Sequence, residues 1–177
     1  MVIICKLVMG YHNWYFSTKI FINKWYFSTS MTAQKIHLEK IKEHLQELKD
    51  AIAIGIEQRS ATIGFHTSAC AIDLIELYLH KTGKIPIGMQ VKHEWFKRPK
   101  PGQKILPLAE RNLKSDFPHK LAIIELLYSL EEKRNKLIYG HSTPPEIKQT
   151  LETFEKLQHI LTEMLTAAGE NFENAND

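Results

Sequence analysis

Four stretches of this chain return to an apolar residue every three or four positions, the repeat of an α-helix with one buried face. Ile41, Leu45, Leu48, Ile52 and Ile56 form the first stripe, with Lys40, Lys42, Glu43, Glu47 and Lys49 on other faces. Thr32 is its N-cap candidate, and the pattern predicts a helix to about Arg59. The second helix is expected from about Phe65 to Thr82. Phe65, Ala69, Ile72, Ile75 and Leu79 form its stripe, and Leu74, Leu77 and Tyr78 widen it. So broad an apolar surface predicts a central helix, and Lys81 followed by Gly83 is a good stop. The third is expected from about His119 to Tyr139, with Ile123, Leu127, Leu130 and Leu137 on one face and Gly140 at its end. The fourth opens at Thr143-Pro144-Pro145-Glu146, a capping box with proline at the first helical position. Ile147, Leu151, Phe154, Leu157, Leu161 and Leu165 are its core face. Only a few residues join the last two helices, so they form an antiparallel hairpin.

Residues 84–118 interrupt this pattern. They hold five of the seven prolines, which rules out one regular element. Leu106 to Lys114 has the pattern of a short helix. A loop of this length inside a compact domain is usually functional or disordered. The expected fold is therefore all-α: an up-and-down four-helix bundle with a long loop between helices two and three.

The chain has 177 residues, room for one domain with a real core. Two cysteines, Cys5 and Cys70, cannot make a disulfide framework and show no CxxC spacing, so a reducing cytoplasm is expected. The formal charge of +3 comes wholly from residues 1–30, through Lys6, Lys19 and Lys24. The remainder is balanced but polarised. Residues 92–120 carry eight Lys/Arg against three acids, and residues 143–177 carry two against seven. Binding of a polyanion would be local.

Residues 1–30 are atypical and contain a direct repeat, Trp14 to Thr18 and Trp25 to Thr29. Their apolar runs are too short to span a bilayer and lack a signal-peptide cleavage pattern. Two readings stand. Translation starts at Met31 and these residues are upstream sequence, or they form an aromatic hairpin or amphipathic segment. The division is thus 1–30, an extension; 31–170, the helical domain; and 171–177, a polar tail. No membrane association of the helical domain is expected.

The end of the third helix carries the most unusual side chains, from Glu131 to His141. Arg134 and His141 are seven residues apart, close to two helical turns, which would set both on one face in line with the leucines. Asn135 follows the arginine, and Tyr139 lies two residues before the histidine. Each has an ordinary reading too. Arg134 would cap helix carbonyls or pair with Glu131, His141 would be a polar turn residue, and Tyr139 an amphipathic edge.

The form R-x4-Y-x-H, in a helical setting of this kind, resembles the signature of HEPN domains. The likeness is to the branch of ribonuclease toxins paired with a minimal nucleotidyltransferase antitoxin. It covers roughly residues 32–168, and a helical bundle is also that family's architecture. The resemblance implies a metal-independent endoribonuclease with no cofactor. The RNA 2′-hydroxyl would attack the scissile phosphate, leaving a 2′,3′-cyclic phosphate and a 5′-hydroxyl. His141 would act as general base or acid near neutral pH. Arg134 would hold the phosphate, its planar fork staying charged, and Asn135 would orient either group. One imidazole does not readily serve as both base and acid, so a homodimer through the third helix would combine two motifs in one cleft. Tyr139 would be the acceptor for nucleotidylation by the antitoxin, blocking the site. The alternative is a non-catalytic module that binds a nucleotide or the partner; a third possibility is a structural dimeric bundle.

Lys97, Arg98, Lys100 and Lys104, with Trp95 and Phe96 interleaved, are the candidate RNA-binding residues, charge tracking the backbone and rings stacking on bases. The competing reading is a solvated loop whose rings pack on the bundle. His93-Glu94-Trp95 suggests no role. His37, His44, His66, His80 and His159 show no spacing that identifies a metal site, and no P-loop or nucleophile elbow is present.

Overall fold

The structure is a computed structural model, and it describes residues 34–100, 102 and 104–170. The repeat, the Met31 start, the Thr32 cap and the 171–177 tail lie outside the described residues. Five α-helices form one bundle, with no strand among those residues. They are α1 (34–54), α2 (Ser60–Lys81), α3 (Leu108–Asn112), α4 (Lys120–Tyr139) and α5 (Pro144–Ala167). A 3-10 turn spans His93–Phe96 between α2 and α3.

The first hairpin lies earlier in the chain than periodicity predicts. α1 ends at residue 54, because Gly55 takes φ +132, a conformation that favours glycine. α2 then starts at Ser60 and passes straight through Gly64. Gly64 is a packing site. A Cβ at this position would lie 2.6 Å from Leu137 Cβ and 3.4 Å from the Arg134 carbonyl oxygen. The missing side chain lets α2 approach α4 next to the motif.

α2 is the central helix and packs on both α4 and α5. Its buried side runs through Ile63, Cys70, Leu74, Leu77 and Tyr78. The stripe read from the sequence holds at Ile75 and Leu79, which are buried with Leu74, Leu77 and Tyr78, but departs earlier, where Phe65 is 45% exposed and Ile72 only partly buried. In so apolar a helix several faces satisfy the same period, and only the neighbours choose among them. α1 contributes Ile41, Leu48 and Ala51 to the core, while Ile52 stays exposed.

The described residues between α2 and α4 are anchored by burial. Ile85, Val91, Phe96, Ala109, Leu113 and Phe117 all enter the core. The short helix is Leu108–Asn112, within the expected Leu106–Lys114 window.

The α4–α5 hairpin matches its sequence signature. Both the Thr143 backbone N–H (2.9 Å) and its hydroxyl (3.0 Å) donate to the Glu146 carboxylate. Lys136 pairs with the same group. These contacts, led by Lys136, hold the Glu146 carboxyl down at about 2. A depressed carboxyl stabilises the fold above its unfolded value and loses that contribution as pH falls through the folded value. The cap should therefore persist to about pH 2, and NMR titration of the Glu146 carboxyl should report that midpoint, rising as salt screens Lys136.

Candidate functional site

A groove of about 820 Å³ opens along α1, α2 and the segment after α2, with Arg134 at its α4 border. Its lining is rich in titratable groups: His37 and His44 from α1, Asp73, Glu76 and His80 from α2, and His93 and Glu94 from the 3-10 turn.

The α4 border is built around Glu131, which is buried. His93 Nδ1 lies 3.2 Å from both Glu131 oxygens, and His93 Nε2 lies 3.3 Å from Glu94. His93, to which the sequence assigned no role, thus docks the 3-10 turn onto α4. Its capture of Glu131 has a direct consequence one helical turn on. The Arg134–Glu131 pair open to the sequence does not form. Arg134 is half-buried, and its guanidinium donates to Asn135 Oδ1 at 3.4 Å. Among the described residues no carboxylate ion-pairs with it. A permanent cation is held at a groove edge with its charge available.

The other motif residues sit differently. Asn135 and His141 are exposed, and Tyr139 is 82% exposed. α4 ends at Tyr139, and Gly140 is extended at φ −112, ψ −169. His141 therefore lies past the helix, so the two-turn register expected to join it to Arg134 stops short of it. Arg134 lines the groove and His141 does not. The leucine stripe is also committed: Ile123, Leu127, Leu130 and Leu137 are all buried inside this chain. A homodimer through this helix would therefore have to use another side of it, because the leucines are covered within the chain, where α2 and α5 pack on α4. The side of α4 left free carries Leu121 and Tyr139 instead, while Glu125 and Glu132 between them are held by Arg98.

The basic loop divides. Arg98 pairs with Glu125, lies 2.6 Å from Glu132, and stacks 4.8 Å from the Tyr128 ring centre. It fastens the loop to α4 and is not a spare cation. Phe96 is buried against Tyr128, and Trp95 packs on the core, so the rings follow the packing reading. Lys97, Lys100 and Lys104 are exposed.

The opposite wall holds a cluster that spacing did not disclose. His37 Nδ1 donates to Asp73 Oδ1 at 3.1 Å, and His37 Nε2 lies 3.4 Å from Glu76 Oε1. His44 Nε2 lies 3.4 Å from Asp73 Oδ2, and its Nδ1 is 2.9 Å from His66 Nδ1. That last contact needs one ring to donate and the other to accept. The hydrogen bonds to Asp73 and then Glu76 outweigh burial and raise His37 to about 9. Burial pushes Asp73 up, but the bonds from His37 and His44 prevail and leave it at about 2. His80 Nε2 sits 3.0 Å from the Met89 carbonyl oxygen and 3.6 Å from Glu76 Oε1. The absence of a metal constellation read from the spacing is thus revised: His37, Glu76 and His80 offer ligand atoms within 4.8 Å of one another. The i, i+4 pair Glu76 and His80 was visible in the sequence; its meeting with His37 was not.

Comparison with protein-family models, with curated proteins and with solved structures gave no match. No helix among the described residues is long and apolar enough to cross a membrane.

Proposed function

We propose that this chain is an RNA-cleaving protein of HEPN type, acting through 2′-hydroxyl attack without a metal ion in the chemical step. The observation that carries the reading is Arg134, a half-buried guanidinium on a groove edge whose neighbouring acid is taken by His93. A fixed cation of this kind is what a scissile phosphate requires. Asn135 steadies it. Lys97, Lys100 and Lys104 extend the positive surface along which a strand would run. His141, exposed at the hairpin tip, supplies the general base or acid. A second copy brings the second imidazole, meeting the first across the free face of α4 around Leu121 and Tyr139. Tyr139, at 82% exposure, is open to nucleotidylation by a minimal nucleotidyltransferase antitoxin in a cytoplasmic toxin–antitoxin pair.

One observation favours the rival, a non-catalytic module that holds a nucleotide or the partner. His141 lies off the groove that Arg134 lines, so phosphate could be held there with no imidazole at hand.

The deciding experiment incubates the full chain with RNA in EDTA, with helicity followed by circular dichroism in the same sample. Cleavage to cyclic-phosphate ends is expected, and His141→Ala should slow it by about 10²–10⁴-fold with the fold intact. Undiminished cleavage by that variant, or a strict need for added magnesium, would remove the enzyme reading.

A further inference from the structure

We propose that His37, Glu76 and His80 form a binding site for a zinc-class divalent cation, which ties α1 to α2 inside the groove. The inference does not depend on the RNA reading, and it assigns the ion no step in cleavage.

The donor set is two imidazole nitrogens and one carboxylate oxygen, the chemistry zinc and its neighbours prefer. The spacing suits a tetrahedral ion. Bonds of about 2.0–2.1 Å place neighbouring ligand atoms about 3.3–3.4 Å apart. Glu76 Oε1 lies 3.4 Å from His37 Nε2 and 3.6 Å from His80 Nε2. Both values are long for a hydrogen bond and close to a ligand–ligand edge. The third edge, between the His37 and His80 nitrogens, lies within 4.8 Å, so closing the site on an ion draws the two rings together.

The surroundings are organised in the way metal sites are. Asp73 accepts from His37 Nδ1, which leaves Nε2 facing the cluster in the arrangement of a carboxylate–histidine–metal triad. The Val91 backbone N–H donates to Glu76 Oε2 at 3.0 Å, which orients Oε1 toward the histidines. Asp73 and Glu76 are 9% and 6% exposed, yet no lysine or arginine ion-pairs with either among the described residues. Imidazoles are the direct neighbours of these two carboxylates, and Lys40 on the groove wall acts on Asp73 from beyond ion-pair distance, so a dication at Glu76 would take over charge that His37 now balances. Two features oppose binding: His37 Nε2 must release the proton it shares with Glu76, and His80 Nε2 must give up its hydrogen bond to the Met89 carbonyl and carry its proton on Nδ1. All three ligand residues line the groove, so a fourth coordination position is accessible to water or to a bound molecule.

The test uses the full-length chain stripped of metal by a chelator. Titration with zinc alone, followed by calorimetry, should show one equivalent bound per chain and a raised Tm. Cobalt alone should develop the visible absorption of a tetrahedral N/O site. Glu76→Gln and His80→Ala should each weaken zinc binding by roughly tenfold or more and abolish the Tm rise. His159→Ala, altering an exposed histidine on α5, should change neither. Far-UV circular dichroism of each variant shows that it is folded before titration. Binding of less than one equivalent, or binding equally tight in Glu76→Gln and His80→Ala, overturns the proposal.

Discussion

Replacing His37 by alanine is expected to lower the stability of the metal-free protein by about 3–5 kcal/mol, the usual cost of stranding a buried charge. Among the described residues, His37 is the one side chain that ion-pairs with both Asp73 and Glu76, at 3.1 Å and 3.4 Å. Without it, Glu76 keeps the Val91 N–H and the long contact to His80, and Asp73 keeps His44. Two anions would remain inside with no cation between them. The shape loss alone would cost far less, since His37 adds little to the apolar core, which α1 reaches through Ile41, Leu48 and Ala51. Urea denaturation measures the effect directly. A loss below 1 kcal/mol would mean that the carboxylates are solvated after all. His37→Gln, which can still donate to Asp73, should recover part of the loss.

The second large effect is expected at Gly64, where alanine should destabilise the protein by about 2 kcal/mol. Overpacking a tight contact costs up to about 3 kcal/mol. Exchange of glycine for alanine inside a helix returns about 1 kcal/mol. The clash dominates because both partners are Cβ atoms, 2.6 Å apart, and neither can rotate away. Relief requires α2 and α4 to separate at Leu137, which would also displace the Arg134 carbonyl 3.4 Å away. Under the proposed function, RNA cleavage should therefore fall more than stability alone explains. Ser60→Ala, one turn earlier and joined to Leu137 only by a 3.5 Å contact, should be nearly silent in both assays.

Gly64 also marks where a one-dimensional reading fails. Periodicity alone placed the first hairpin some five residues late, between Arg59 and Phe65, and gave Gly64 no role. Its role becomes visible only beside Leu137, seventy-three positions further along. By contrast, the start of α5 was legible in full, because a capping box is a local device: Thr143 and Glu146 satisfy each other within one turn. The end of α4 at Gly140 was legible for the same reason. A Cβ there would meet the Lys136 carbonyl oxygen at 2.9 Å, a neighbour within the same turn.

The candidate site divides along the same line. Residue types and their order put Arg134, Asn135, Tyr139 and His141 near one end of the third long helix, and short-range spacing sufficed for that. It did not suffice for what each side chain does. Arg134 is free because His93, from a loop thirty-eight residues before Glu131, occupies that acid. The leucines between are closed to a partner because α2 covers them. Arg98 is spent on Glu125 and Glu132 rather than on a ligand.

Amino-acid order alone determined the helical class, the number of long helices, the hairpin caps and the uneven charge of the chain, since each follows from contacts within a turn or two. The tertiary structure alone decided which faces meet, and with them the meeting of His37 with Glu76 and His80. Helical periodicity states that a face is buried but carries no information about what it is buried against. That choice falls to the angle and depth at which helices cross, set here by a missing side chain at Gly64.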